Sequence, residues 1–135
     1  MAFPLNSVTF DTAGMMLGHP MEQAFVFDYS QPLEFWIMKK SDGTHKKYVT
    51  DHGAIIMHVG NNYIDKDGNY IFDAEMYLES DTNPFGILGL DWLENPHRPD
   101  VHVNMRMRRY TIGLESGTVT YEDLLTREVD NAGFI

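Results

Sequence analysis

Apolar and polar residues alternate along much of this chain with the period of strands, not of helices. The run Gln23 to Asp28 carries Phe25, Val26 and Phe27, and Glu34 to Met38 reads Glu-Phe-Trp-Ile-Met. Ala54 to Val59 is a nearly unbroken apolar run, which predicts a strand buried on both faces. Tyr70 to Tyr77 alternates less cleanly. Val101 to Gly113 is the best alternation, with Val101, Val103, Met105 and Met107 on one face and His102, Asn104, Arg106 and Arg108 on the other. Tyr110 and Ile112 then share a face with Arg106 and Arg108, which predicts a bulge near Arg109. Val119 and Tyr121 open a further short strand. Asp42-Gly43, Asp67-Gly68 and Ser116-Gly117 sit between runs, as hairpin turns do.

Helix signals are few. Thr120 to Leu125 fits one turn, with Thr120 as N-cap and Asp123 near the third helical position. Asp81 to Pro99 holds Pro84, Pro96, Pro99, Gly86 and Gly89 and reads as a long connection between strands. Within it, Gly86 to Leu93 is apolar, as in a loop that packs over a core or lines an apolar tunnel.

Composition narrows the class. At 135 residues the chain is one domain or part of a larger one. The content of 43% apolar and 13% aromatic residues is that of a packed chain. A net charge of −10 argues against a nucleic-acid partner, because a phosphate surface repels it. It also argues against electrostatic attraction to anionic lipid, so any membrane contact is expected to be weak and to rest on apolar loops. Zero cysteines exclude a disulfide framework, a thiolate metal site and a cysteine nucleophile. No run reaches the ~18 to 20 apolar residues of a membrane helix, and the start lacks a basic segment followed by an apolar one. The expected location is the cytoplasm. Nine methionines serve mainly as flexible core filling, less often as an adaptable apolar pocket.

Of six histidines, His19, His45, His52, His97 and His102 fall in turns, polar stretches or a polar strand face and are expected to be solvated. His58 stands apart, inside Ile55-Ile56-Met57-His58-Val59. An apolar strand interior favours neutral imidazole, the form a metal binds. From chemistry alone it reads as a core histidine satisfied by Asn61, Asn62, Tyr63 or Asp65, or as a metal ligand.

Met57-His58-Val59-Gly60-Asn61-Asn62-Tyr63-Ile64-Asp65 resembles the Phe-His-x-x-Asn-Ala-Tyr/Trp-Glu-Glu/Asp element of the carotenoid cleavage oxygenases. That family includes the retinal pigment epithelium isomerohydrolase, the epoxycarotenoid dioxygenases and the stilbene-cleaving oxygenases. The flanks are similar in order and spacing: Phe3-Pro4-Leu5, Phe27-Asp28 through Pro32, Phe35 to Lys40 with Asp42-Gly43, and Ile71-Phe72-Asp73. Arg108-Arg109-Tyr110-Thr111 through Thr118-Val119 is similar to the family's Arg-Arg-Tyr-Thr segment, and Arg127 to Asp130 falls where it has Arg-x-x-Glu-Phe-Pro.

The resemblance implies an all-β fold: two to three consecutive blades of an incomplete seven-bladed β-propeller over residues 1–135, with the 81–99 segment as a loop insertion. It implies ferrous iron, Fe(2+), held on the propeller axis by four histidines, with His58 as the third. It places Asp130 where a carboxylate accepts a ligand histidine's other N–H. The other ligands fall in missing segments needed to complete the propeller. The implied reaction splits a conjugated C=C bond of a carotenoid, apocarotenoid or stilbene-like substrate with O₂, and the isolated chain is expected to be inactive. Two other readings stand beside it: a small β-barrel carrier of an apolar ligand without metal, and a structural piece of another propeller.

Overall fold

A computed structural model describes residues 1–19, 23–78 and 106–125. The Asp81 to Pro99 connection lies outside them, as do His97, His102 and Asp130. The described elements are strands β1 (Ala2–Leu5), β2 (Val8–Phe10), β3 (Phe25–Phe27), β4 (Glu34–Met38), β5 (His45–Val49), β6 (Ile55–Ile64), β7 (Asn69–Tyr77), β8 (Arg106–Gly113) and β9 (Val119–Leu125), and one short helix, α1 (Thr12–Met16).

The three turns read from the sequence are the turns observed. Gly43, Gly68 and Gly117 adopt φ of 74°, 82° and 80°, left-handed values that glycine reaches without steric cost. Side chains fix two of them. Asp42 Oδ1 accepts the Thr44 amide at 3.0 Å, and Asp65 Oδ1 accepts the amides of Asp67 and Asn69 at 2.9 and 2.8 Å.

All pairings are antiparallel. The sheets run β1-β4-β5, β2-β3 and β6-β7-β8-β9. The core lies where the first sheet meets the third. Leu33, Phe35 and Tyr48 from around β4 and β5 pack with Tyr70, Phe72, Ala74 and Met76 of β7 and Tyr110 and Ile112 of β8. The Phe35 ring meets Phe72 and Tyr110 at 5.1 and 5.0 Å, edge-on or tilted as aromatic quadrupoles prefer. The even-numbered residues of β7 and β8 therefore face this core, as a period of two demands.

Four expectations change. Among the described residues the sheets are open: β6 and β9 are the outer strands of the third sheet and do not pair with each other, which is not the arrangement of a small closed barrel. Thr120 to Leu125 is strand, because pairing with β8 outweighs a one-turn cap signal. The face of β8 that carries Arg106 and Arg108 is the core face, so Tyr110 and Ile112 need no switch; the irregularity in the β8–β9 ladder falls between Met107 and Arg108. The apolar run at Ala54 is buried only as far as Ile56, because among the described residues β6 pairs with β7 alone and forms an edge.

The start of that edge is covered by side chains. Asn6 gives its amide to the Ile56 carbonyl at 3.1 Å and accepts the Ile56 N–H at 2.8 Å. The Ala54 N–H donates to the Ser7 hydroxyl at 3.1 Å. Together they satisfy backbone groups that an edge would otherwise leave to water.

Candidate functional site

The β6–β7 ladder carries two irregularities, between Ile56 and His58 and between Val59 and Asn61. His58 and Val59 lie between them. Such bulges twist an edge strand and re-aim its side chains. The first lets Met57 fall out of register, so His58 stands opposite Glu75. That residue belongs to the odd-numbered face of β7, away from the core just described. His58 is exposed, so the argument that burial keeps its ring neutral loses its basis. Asn62 Oδ1 accepts a hydrogen bond from the Tyr70 hydroxyl at 3.1 Å, and Asp65 closes the following turn.

His52 inverts the expectation made for it. Only 20% of its side chain is exposed, and it joins a closed polar network. Arg108 can only donate, so the 3.1 Å contact between its Nη1 and His52 Nε2 makes that nitrogen an acceptor. His52 Nδ1 then carries the proton and donates to Asp51 at 2.8 Å. Tyr110 Oη lies 3.0 Å from the same Nε2 and reaches Met76 Sδ at 3.3 Å. The imidazole stacks on Tyr110 and meets Tyr121 edge-on at 4.6 Å. Gly53 sets the backbone for this corner: a Cβ there would lie 2.3 Å from the Tyr29 carbonyl oxygen.

Arg108 and Arg109 project to opposite faces of the sheet and close one clamp on each. Arg108, 4% exposed, forks onto Asp123, with Nη2 to Oδ2 at 3.2 Å, and lies 4.0 Å from the Tyr121 ring centre. Burial is the largest single effect and opposes its charge, but the hydrogen bonds to Asp123 together with the electrostatics of Asp123 and Tyr110 raise its pKa on balance. The same bonds hold the Asp123 carboxyl below its usual range. Arg109 makes a two-point contact with Asp73 at 2.7 and 2.8 Å, and those bonds raise its pKa. Burial pushes the Tyr110 hydroxyl well above its ordinary value, so it stays protonated. These groups are mutually satisfied, so the network holds strands together and offers no open chemistry.

His58, the histidine that the resemblance names as a ligand, lies exposed on β6. No group of three or more His, Cys, Asp or Glu fit to hold a metal occurs among the described residues. One imidazole does not hold an iron ion, since non-haem sites take at least a facial set of three protein ligands. The described residues alone thus do not fit the iron that the resemblance implies. Asp130 and the 86–93 loop lie outside the described residues.

Residues 1–133 match the family described as retinal pigment epithelial membrane protein, RPE65. The chain belongs to that family of carotenoid cleavage oxygenases. Solved structures of the family agree in fold. A cobalt-substituted apocarotenoid oxygenase from Synechocystis is 18% identical at a TM-score of 0.71, covering 94% of this chain and 25% of the other. A point mutant of that oxygenase gives 0.72, and a chimera of the oxygenase with RPE65 gives 0.73, at the same identity and coverage. No curated protein matches. The chain thus spans about a quarter of the length of the solved RPE65-family structures it matches.

The strand pairing gives the Arg-Arg-Tyr segment a physical reading that its sequence did not. Alternation along β8 sends Arg108 to the core face and Arg109 to the other, and each has a carboxylate waiting on a neighbouring strand. The signal that could have found His52 is the tight Asp51-His52-Gly53 corner just before a buried strand.

Proposed function

We propose that this chain is one segment of a non-haem iron oxygenase that splits a conjugated C=C bond of an apolar polyene or stilbene-like substrate with O₂, giving two carbonyl products. The observation that carries the reading is the family match over residues 1–133, in which the His motif falls on β6. The four-stranded sheet β6-β7-β8-β9 is proposed as one complete propeller blade, and the three- and two-stranded sheets as parts of its neighbours. His58 is proposed as one iron ligand, with the other donors supplied by the rest of the propeller. Asp130 is proposed as the carboxylate that orients a ligand histidine.

In this reading the work of the described residues is mechanical. The core of Phe35, Phe72 and Tyr110 and the clamps of Arg108 and Arg109 fix β7 and β8. The bulges then set the direction of His58 from that fixed frame. A donor held this way enters a ligand set without reordering the strand that carries it.

The test joins this chain to the polypeptide that completes the length of the matched structures, loads Fe(II) without oxygen, and compares the parent with His58→Ala. The expected result is one bound iron and apocarotenoid cleavage in the parent and loss of both in the variant. Equal iron retention in the two would remove His58 from the ligand set.

A further inference from the structure

A groove at the end of β6 far from His58 has no part in that reading. Its volume is about 590 Å³, within the ~300 to 1,000 Å³ range of small-molecule sites. Ile37, Tyr48, Ile64 and Leu114 give it an apolar floor, and Lys39, Lys40 and Lys46 line it with positive charge. Ile64 lies six residues beyond His58 on β6, roughly 20 Å along an extended strand.

The charge is a local inversion. The chain carries 20 acids and 10 bases, yet every lysine except Lys66 falls in or beside the β4–β5 hairpin. Lys47 is taken by Glu34 at 3.0 Å and Lys39 by Asp42 at 3.1 Å. Among the described residues, neither Lys40 nor Lys46 forms an ion pair with a carboxylate. Lys46 is also positioned. Its Nζ donates to the Leu114 carbonyl at 3.3 Å and stands 5.0 Å from the Tyr48 ring centre. The Tyr48 hydroxyl donates to that same carbonyl at 2.9 Å. An ammonium has three protons, so Lys46 keeps donors for a ligand after this contact.

We propose that this groove binds a single long-chain carboxylate, with the apolar body on Ile37, Tyr48 and Ile64 and the anionic head between Lys40 and Lys46. The apolar floor selects against a small inorganic anion, and the cationic rim selects against a neutral lipid. The surface is concave, which suits one bound molecule; a flat bilayer needs a protruding apolar surface to enter.

The test uses the 135-residue chain and a fluorescent long-chain carboxylate, cis-parinaric acid, displaced by dodecanoate, dodecanol or acetate. Dodecanoate is expected to compete best, with dodecanol and acetate each weaker by about 10-fold or more. Each methylene that enters the groove is expected to tighten binding by about 2- to 4-fold. Lys40→Gln with Lys46→Gln should weaken dodecanoate by about 10-fold, near 3-fold per lysine, and leave dodecanol unchanged. Both lysines are exposed, so circular dichroism should show an unaltered fold in that variant. Ile64→Asp at the exposed floor should weaken dodecanoate by a further route, through the tail. Dodecanol matching dodecanoate, an unchanged affinity in the folded lysine variant, or binding seen only to anionic vesicles would each overturn the proposal.

Discussion

His52 and His58 flank the start of β6 and have opposite fates. His52 sits in a short polar corner, yet it is held by Asp51, Arg108, Tyr110 and Tyr121. His58 sits in an apolar run, yet it is exposed between two bulges. Neighbouring residues in the sequence do not decide which imidazole is closed off. The sheet does: His52 meets the core face of β8 and β9, whereas among the described residues His58 rides an edge with a partner strand on one side. One ring is enclosed in a network that joins three strands, and the other is exposed on β6, where the proposed ligand role requires it to be reachable.

The sharpest way to break this contrast is to remove the cation at the centre of the closed network. Arg108→Met leaves Asp123 without its fork and His52 Nε2 without its donor, and is expected to cost about 3 kcal/mol in urea unfolding. Adding Asp123→Asn should recover part of that loss, because the two sites share one interaction. A cost under about 1 kcal/mol would mean that the network adds little to the fold. His52→Ala comes next, at about 2 kcal/mol, from a partly buried ring and its hydrogen bonds. Its heat-capacity change should stay near that of the parent if the loss is local.

Much of the strand pattern was legible because it is written in local chemistry. Gly43, Gly68 and Gly117 mark turns because left-handed φ needs them, and β4 begins and ends where its apolar alternation does. Edge or centre was not legible. Ile55 and Ile56 look the same in either place, and the choice rests on whether a strand lies on the far side of β6. Helix α1 was hidden because Thr12–Met16 is too short to show a period; Asp11, whose carboxylate accepts the Gly14 N–H at 2.9 Å, is its only mark. β5 was hidden because its sole buried residue is Tyr48. The bulge was expected from β8, but the ones that aim His58 are in β6, where an apolar run shows no alternation for a slip to interrupt.

Acid sharpens the comparison from another side. Asp123 has a folded pKa below its ordinary 3.8, with the Arg108 hydrogen bonds as the largest cause. A depressed carboxylate gives stability that is fully present above the unfolded value and lost as pH falls through the folded one. The Asp123 contribution should therefore be constant from pH 7 to about 5, begin to fall near 4 and be lost as the pH drops through the folded value. In Asp123→Asn that part of the acid slope of the melting temperature should vanish. An unchanged slope would place the acid sensitivity in other carboxylates.

The smallest expected effect carries the most weight for function. His58→Ala should alter the stability of this chain by less than about 0.5 kcal/mol, as exposed substitutions do. Under the proposed function, the same change should abolish iron retention in the protein completed to the length of the matched structures. A small stability change in the segment beside a complete loss of iron in the whole would mean that the side chain serves the proposed metal site more than the sheet. A stability loss comparable with that of His52→Ala would instead make His58 a structural residue of the sheet, and the asymmetry between the two histidines would be gone.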